Sequence, residues 1–340
     1  MRSTSNNPFL FLLLFFMFSC AENKWDVDLE KVKITQEFKR FESDLYSVQS
    51  GGVDSKELKN IQEQYPQFFP LYVEGIMSFG RANDPLTISV FNQYLRNKDI
   101  QEVIEKVHKT FPKASLQPEF EQLNNAFKRY HYYFPKRVVP NVITMTAAFN
   151  YATAADDSLL AIGLDMYLGG DFIVYPQIGI PKYKFQNFDK KYLVSDAMKA
   201  WLLTEFETEG GQNLMEQMVF YGKVAFLLNA FLPNETDEVF FNYSKEDIVW
   251  CEENEGPIWF HFIDMELLFN SENHQIRKYM GDAPFVAGFP EGSPGRVGQW
   301  MGYKLVKSFM ENNPDVDISG LMEIQDANKI LRKSNYKPQR

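Results

Sequence analysis

The hydrophobic pattern of the chain changes near Val138, and this change limits the folds that the chain can adopt. Up to about residue 135, apolar residues recur every three or four positions, as they do over 100–107, and this spacing predicts helices. From 138 to 169 apolar and polar residues alternate and many residues are β-branched. This pattern predicts two or three strands with a turn at 155–158. Helical spacing then resumes after an irregular aromatic loop at 171–188. The sequence therefore predicts an α+β protein, predominantly helical with a small embedded β-sheet.

The same pattern divides the chain into parts. We expect a helical subdomain at 35–135, whose first helix carries Phe38, Phe41 and Leu45, and an α+β subdomain at 136–340. The later helices are predicted at about 190–206, 211–231, 244–269, 294–312 and 320–333. With 45% hydrophobic and 16% aromatic residues, a chain of this length can build a large core.

The N-terminus has the features of an export signal. An apolar run from Phe9 to Phe18 is followed by Ser19 and Cys20, and ten apolar residues are too few to span a bilayer, which takes about 20. A small residue before a cysteine resembles the lipobox of bacterial lipoproteins. We therefore expect 1–19 to be a signal peptide, Cys20 to carry acyl groups such as palmitate, and 20–34 to be a lipidated polar tether. Cleavage elsewhere and an uncleaved anchor are the alternatives.

Charge and cysteine content restrict the partners. The net charge is −10, and no long basic cluster is present, so nucleic acid and anionic headgroups are poor candidates. Contact with the membrane should come through the acyl groups. The second of the two cysteines, Cys251, cannot form a bridge within the mature chain, and we expect a half-buried thiol rather than an intermolecular bridge.

The sequence lacks the common catalytic motifs. The four histidines, His108, His131, His261 and His274, include no pair at the i, i+4 spacing of a zinc-binding helix. G-x-S-x-G, C-x-x-C and the phosphate-binding loop motif are also absent. The sequence predicts no catalytic residue, no metal site and no cofactor, and it favours a core or boundary position for His261.

The stretch "EGSPGRVGQWMGYKLV" indicates the start of a helix rather than a phosphate-binding loop, because two of its glycines lie within the predicted helix. Ser293 is predicted to cap this helix and Pro294 to occupy its first position. Gly295, Gly298 and Gly302 are spaced so that they share one face, where another backbone can approach closely. Arg296 is a tentative contact for a ligand or partner at the helix N-terminus.

Five long motifs occur in one order: "IGLDMYLGGDFIVYP", "LMEQMVFYGKVAFLLNAFLP", "WCEENEGPIWFHFI", "VAGFPEGSPGRVGQWMGYKLV" and "ILRKSNYKP". With the lipoprotein signal, they resemble the gliding-motility lipoprotein GldB family of Bacteroidetes across the whole mature chain. The resemblance implies a membrane-attached component needed for gliding and, indirectly, for the associated secretion system. It does not imply a biochemical activity.

A weaker likeness links the chain to predicted proteases of the zincin type. The helix that would carry H-E-x-x-H is replaced by residues 195–207, which contain no histidine, and Tyr221, Gly222 and Lys223 replace the Glu ligand that would follow. A shared scaffold would therefore be a pseudoenzyme without its metal site.

The expected function is that of a lipid-anchored, non-enzymatic accessory protein, which supports the assembly or stability of gliding and secretion machinery. The alternatives are a divergent zincin-like hydrolase of peptide or cell-wall material, and a module that binds a ligand near the 171–188 loop. The absence of a dense acidic run after Cys20 favours an envelope protein that faces the periplasm rather than one exposed on the cell surface.

Overall fold

The computed structural model describes residues 24–25, 27–47, 55–206 and 211–338. The strands are β1 (Phe38–Arg40), β2 (Asn141–Met145), β3 (Thr153–Asp156) and β4 (Leu159–Gly163). The α-helices before β2 are α1 (Phe41–Ser47), α2 (Ser55–Gln64), α3 (Phe68–Pro70), α4 (Pro85–Arg96), α5 (Lys98–Thr110) and α6 (Gln117–Tyr133), and a π-helix, Leu71–Ile76, directly follows α3. The helices after β4 are α7 (Val174–Gln177), α8 (Leu193–Glu205), α9 (Leu214–Phe231), α10 (Asp237–Phe241), α11 (Lys245–Glu253), α12 (Glu255–Asp264), α13 (Asn273–Met280), α14 (Val297–Asn312), α15 (Ile318–Glu323) and α16 (Ala327–Ser334). The predicted α+β class is confirmed.

Six of these helices begin at a short polar side chain that accepts a hydrogen bond from a backbone N–H group of the first turn. Such caps satisfy donors that have no partner within the helix. In α11, Ser244 and Asp247 form a reciprocal capping box. The other capping side chains are Asp84, Asn97, Asn213, Asp317 and Asp326.

The four strands form one sheet in the order β1, β2, β4, β3, with the first three parallel and β3 antiparallel to β4. The sheet separates two apolar cores. Val142 and Leu160 face a large core with α6, α8, α9 and α14, whereas Ile143 and Ala161 face a smaller core with α1 to α4. The turn predicted between β3 and β4 is confirmed, and Asp157 N–H donates to Oδ1 of Asp156 within it (2.9 Å).

The segment before α1 differs from the prediction. Phe38 was expected on the first helix, but Phe38–Arg40 pairs with β2 as a parallel strand and the helix starts at Phe41. A strand of three residues is too short for its alternation of apolar and polar side chains to be recognised in the sequence. The sheet thus includes a strand from each part of the predicted 35–135 and 136–340 division, and the independence of these two parts stays a prediction.

A buried ion pair holds β1 in place. The Glu42 carboxylate, which is 0% exposed, accepts from Arg40 Nε (2.7 Å) and from Thr144 Oγ1 on β2 (2.7 Å). Nη2 of Arg40 donates to the Phe111 carbonyl at the end of α5 (2.8 Å). Since both charges are paired and hydrogen-bonded, their burial is compensated.

The helix bounds after β4 also differ in part. The run expected to remain a strand to residue 169 leaves the sheet after Gly163. The helix expected at 244–269 is two helices that meet at Asn254, and the one expected at 320–333 is interrupted at 324–326, where Asp326 caps a new start. In the described part of the chain, no helix is both long and apolar enough to cross a membrane.

The centre of the larger core is the pair α9 and α14. α9 is buried on nearly all sides, as expected for a helix that is apolar around its whole circumference. At the crossing, a Cβ at Gly222 would overlap the backbone of Gly302, and a Cβ at Gly302 would overlap the backbone of Met218. The two backbones can meet this closely only because neither glycine has a side chain.

Replacement of Gly302 by alanine is expected to lower the free energy of unfolding by about 1–3 kcal/mol, because the Met218 backbone cannot rotate away. Gly298→Ala should cost less. The atom nearest to the Cβ added there would be Sδ of Met280 (2.5 Å), which belongs to a flexible side chain that can move. Urea unfolding followed by circular dichroism measures both values.

The matched control is Gly75→Ala at an exposed position, where the added Cβ would lie 3.5 Å from Cδ1 of Leu71, an ordinary contact. This change should be neutral or slightly stabilising. A Gly302→Ala protein as stable as the Gly75→Ala control would contradict the close crossing of α9 and α14.

Candidate functional site

A cavity of about 460 Å³ lies beyond the carboxyl end of β4, and we call it the β4 cavity. In sheets with parallel strands, ligands bind preferentially at this end. Its apolar lining is Phe149, Ala152, Met166, Tyr167, Ile178, Ile180, Pro181 and Phe188, and its polar lining is Lys184, Asn187, Asp196, Asn242, Asp282 and Arg296. It therefore joins the loop after β2, the turn after β4, the predicted aromatic loop and the start of α14.

Asp165 fixes the floor of the cavity. Its carboxylate is fully buried and accepts hydrogen bonds from the N–H groups of Ala147 (3.1 Å) and Phe149 (2.7 Å). Ala148 and Phe149 both have positive φ angles (49° and 63°), a conformation that non-glycine residues adopt only when their surroundings hold it. Burial raises the pKa of Asp165 to about 6, and the two N–H donors oppose this shift.

The aromatic loop is packed against the same floor. The Tyr175 hydroxyl donates to the Asp165 carbonyl (2.9 Å) and accepts from Leu168 N–H (3.1 Å), and its ring contacts Phe149, Phe172 and Phe188. Tyr175 is completely buried. These contacts make one wall of the cavity rigid.

The opposite wall carries Asp196 of α8. Its carboxylate accepts from the Tyr167 hydroxyl (3.1 Å) and from Nδ2 of Asn242 (3.1 Å). Burial raises the pKa of Asp196, and the Asn242 amide and the nearby Lys199 oppose this shift. The pKa of Lys199 is lowered to about 8 by burial and by the positive charge of Arg296.

Arg296 closes the cavity at the start of α14. Its backbone is left-handed (φ 60°), its Nε lies 3.7 Å from Oδ1 of Asp282, and its guanidinium lies over the Tyr243 ring (5.5 Å). Asp282 also pairs with Lys184 (2.8 Å). The side chain predicted to contact a ligand therefore lines a cavity, but it already has partners of its own.

The helix start predicted in this stretch is wrong by three residues. α14 begins at Val297, because the left-handed Arg296 ends the preceding loop. Ser293, expected as the cap, instead accepts a hydrogen bond from Val286 N–H (3.1 Å), and Pro294 lies outside the helix.

The three glycines singled out in the sequence contact three different neighbours. Gly295 lies in the loop before α14, against the backbone of Ala283, whereas Gly298 faces Tyr279 and Met280, and Gly302 faces Met218. Gly295 is therefore not part of the helical face on which all three were predicted. Cys20, the predicted lipidation site, lies outside the described residues.

The positions compared with zincin ligands have other roles. Lys223 is buried, its Nζ donates to the Ile324 carbonyl, and burial lowers its pKa to about 8. His261 is half-buried and its Nε2 lies 2.9 Å from the Tyr279 hydroxyl. Cys251 is completely buried, and burial raises the pKa of its thiol. Among the residues with described positions, no group of three His, Cys, Asp or Glu side chains could hold a metal ion.

The comparisons with known proteins identify a family. The family model described as gliding motility protein GldB matches residues 22–338, which is nearly the whole chain. The chain therefore belongs to this family, and it is a gliding motility protein. The family's name also marks it as one of lipoproteins, which are membrane-anchored proteins of the cell envelope. Searches of the curated proteins and of the solved structures returned no match, and nothing supports the resemblance to zincin-type proteases.

Apart from Arg296, sequence reasoning missed the polar groups at the β4 cavity. Asp165 was detectable, because it is a carboxylate inside the apolar run "LLAIGLDMYLG" and a buried polar group needs a partner. Asp196 and Asn242 gave no such signal, since they are 46 positions apart in the chain and meet only in the folded protein.

The pKa of Asp165 predicts a pH-dependent stability. Because its pKa is about 6 in the folded protein and about 3.8 for the free group, the folded state binds the proton more tightly. The stabilisation from this proton is complete below pH 4 and is lost as the pH rises through 6. We expect the wild type to lose up to about 3 kcal/mol relative to Asp165→Asn between pH 4 and 7.

Urea unfolding of both proteins at several pH values measures this difference, and subtraction removes the groups that the two proteins share. If the difference between the two free energies of unfolding does not change between pH 4 and 7, Asp165 titrates outside this pH range.

Proposed function

We propose that this chain is a lipid-anchored, non-enzymatic accessory protein of gliding motility, which faces the periplasm and supports the assembly or stability of the motility and secretion machinery. Membership of the GldB family is the observation that carries the proposal. The sequence around Cys20 supports the anchor, because a short apolar run ends in a small residue and a cysteine.

The non-enzymatic part of the proposal is supported by the structural roles of Gly222 and Lys223, which stand where a zincin would carry its Glu ligand. The Gly222 backbone lies against that of Gly302, and the Lys223 amine is bonded to a carbonyl group. These residues connect α9 to its neighbours, which is a structural role. Stoichiometric zinc in the purified protein would contradict this part of the proposal.

A deletion strain of a gliding bacterium that expresses this protein tests the anchor and the role together. Complementation with Cys20→Ser is expected to give a chain that takes up no fatty-acid label and does not restore gliding, because the thiol that accepts the acyl group is missing. Colony spreading and the levels of the other machine subunits are the measurements.

The matched control is Cys251→Ala, which removes the other of the two cysteines and leaves the acylation site intact. Its chain should be labelled and should restore gliding. Labelling of the Cys20→Ser chain would contradict acylation at this cysteine, and normal gliding of the deletion strain would contradict the role.

Ligand binding is a second candidate function, and the β4 cavity is the observation that favours it. The cavity has apolar walls, and its lining carries two cations, Lys184 and Arg296, and two carboxylates, Asp196 and Asp282. A pocket with a mainly apolar lining and a few convergent polar groups is typical of a binding site. The lining therefore favours a molecule with an apolar body and a few polar groups.

Filling the cavity tests this second candidate. Ala152→Phe places a ring in the cavity and is expected to abolish gliding in the complemented strain while the protein level stays normal. Tyr151→Ala, at the neighbouring exposed position, leaves the cavity open and should restore gliding. Normal gliding with Ala152→Phe would show that motility does not depend on an occupant of this cavity.

A further inference from the structure

The first described residues of the chain are attached to one face of the protein. The Trp25 ring packs edge-on against Phe226 of α9 (5.7 Å between centroids), and its carbonyl accepts from the Tyr133 hydroxyl at the end of α6 (3.3 Å). Nζ of Lys24 donates to the Pro314 carbonyl just after α14 (2.9 Å). Three separate parts of the fold thus hold this segment. Trp25, Tyr132, Tyr133 and Pro314 are called the anchor face below.

The chain between Cys20 and this face is short. Lys24 follows Cys20 by four positions, and an extended chain covers at most about 3.6 Å per residue, so the two Cα atoms lie within about 14 Å of each other. A domain of about 300 residues has a radius of gyration of about 19 Å. The connection is therefore shorter than the domain, and the domain cannot turn freely on it.

We propose that the anchor face lies against the lipid bilayer and that the β4 cavity is held at the opposite end of the domain. The proposal rests on the acylation of Cys20 proposed above. Tyr132 supports it, because this side chain is 56% exposed and packs edge-on against Tyr133 (5.0 Å). Tyrosine and tryptophan are the residues enriched where proteins meet the membrane–water interface.

Two helices separate the anchor face from the cavity. α14 runs from Arg296, which lines the cavity, to the residues just before Pro314, and its 16 residues span about 24 Å. α6 runs between the same two ends. Near its start Glu119 pairs with Lys190 (2.9 Å), two positions after the cavity residue Phe188, and its last residue is Tyr133.

Collisional quenching by lipid measures this orientation in the acylated full-length protein. Tyr132→Cys and Phe285→Cys place one label on the anchor face and one in the loop before α14, at positions of matched exposure (56% and 59%). Cys251 is completely buried and should not take up label. In phosphatidylcholine vesicles that contain a nitroxide-headgroup lipid, we expect the label at 132 to be quenched several-fold more than the label at 285.

A longer connection supplies the control. An insertion of fifteen Gly and Ser residues after Glu22 adds a flexible chain with a root-mean-square span of about 20 Å, comparable to the length of α14. The difference between the two labels should shrink in this variant, because the domain can then turn.

The outcomes separate the anchor from the orientation. Co-flotation with the vesicles and equal quenching at 132 and 285, or stronger quenching at 285, would overturn the orientation alone. A wild-type protein that does not co-float would overturn the acyl anchor and, with it, this inference.

Discussion

The contact between Gly222 and Gly302 is the constraint on which most of this structure depends. Because α9 and α14 approach backbone to backbone, the apolar surface around the rest of α9 is left for other helices, among them α6, α8, α13 and α16. The same crossing sets the direction of α14. The β4 cavity at its start and the Trp25 contacts at its end therefore keep fixed positions relative to each other.

The sheet performs the corresponding task for the two cores. Its parallel strands come from distant parts of the chain, and the paired charges of Arg40 and Glu42 hold the edge strand to β2 and to the end of α5. At the carboxyl end of the sheet, Asp165 holds a turn that would otherwise be strained. The sheet thus positions the floor of the cavity, while the helices position its opposite wall.

The features that the sequence predicted correctly are those that a local pattern encodes. The turn between β3 and β4 follows from the alternation around Asp157, and the α+β class follows from the change of period. The features that were missed arise from tertiary contacts. β1 has three residues and exists because β2 offers it an edge, and Ser293 bonds to Val286 rather than capping α14. Asp196 and Asn242 are brought together only by folding, so their spacing in the sequence does not predict that they meet.

The attachment of Trp25 has a mechanical consequence for a gliding motility protein. If Cys20 is held in a membrane, any pull between the membrane and the domain travels through Lys24 and Trp25 before it reaches the rest of the fold. From the Trp25 ring the load passes to Phe226 on α9, the most deeply buried helix of the larger core. Tension would therefore act on the interior of the protein rather than on a loose surface segment.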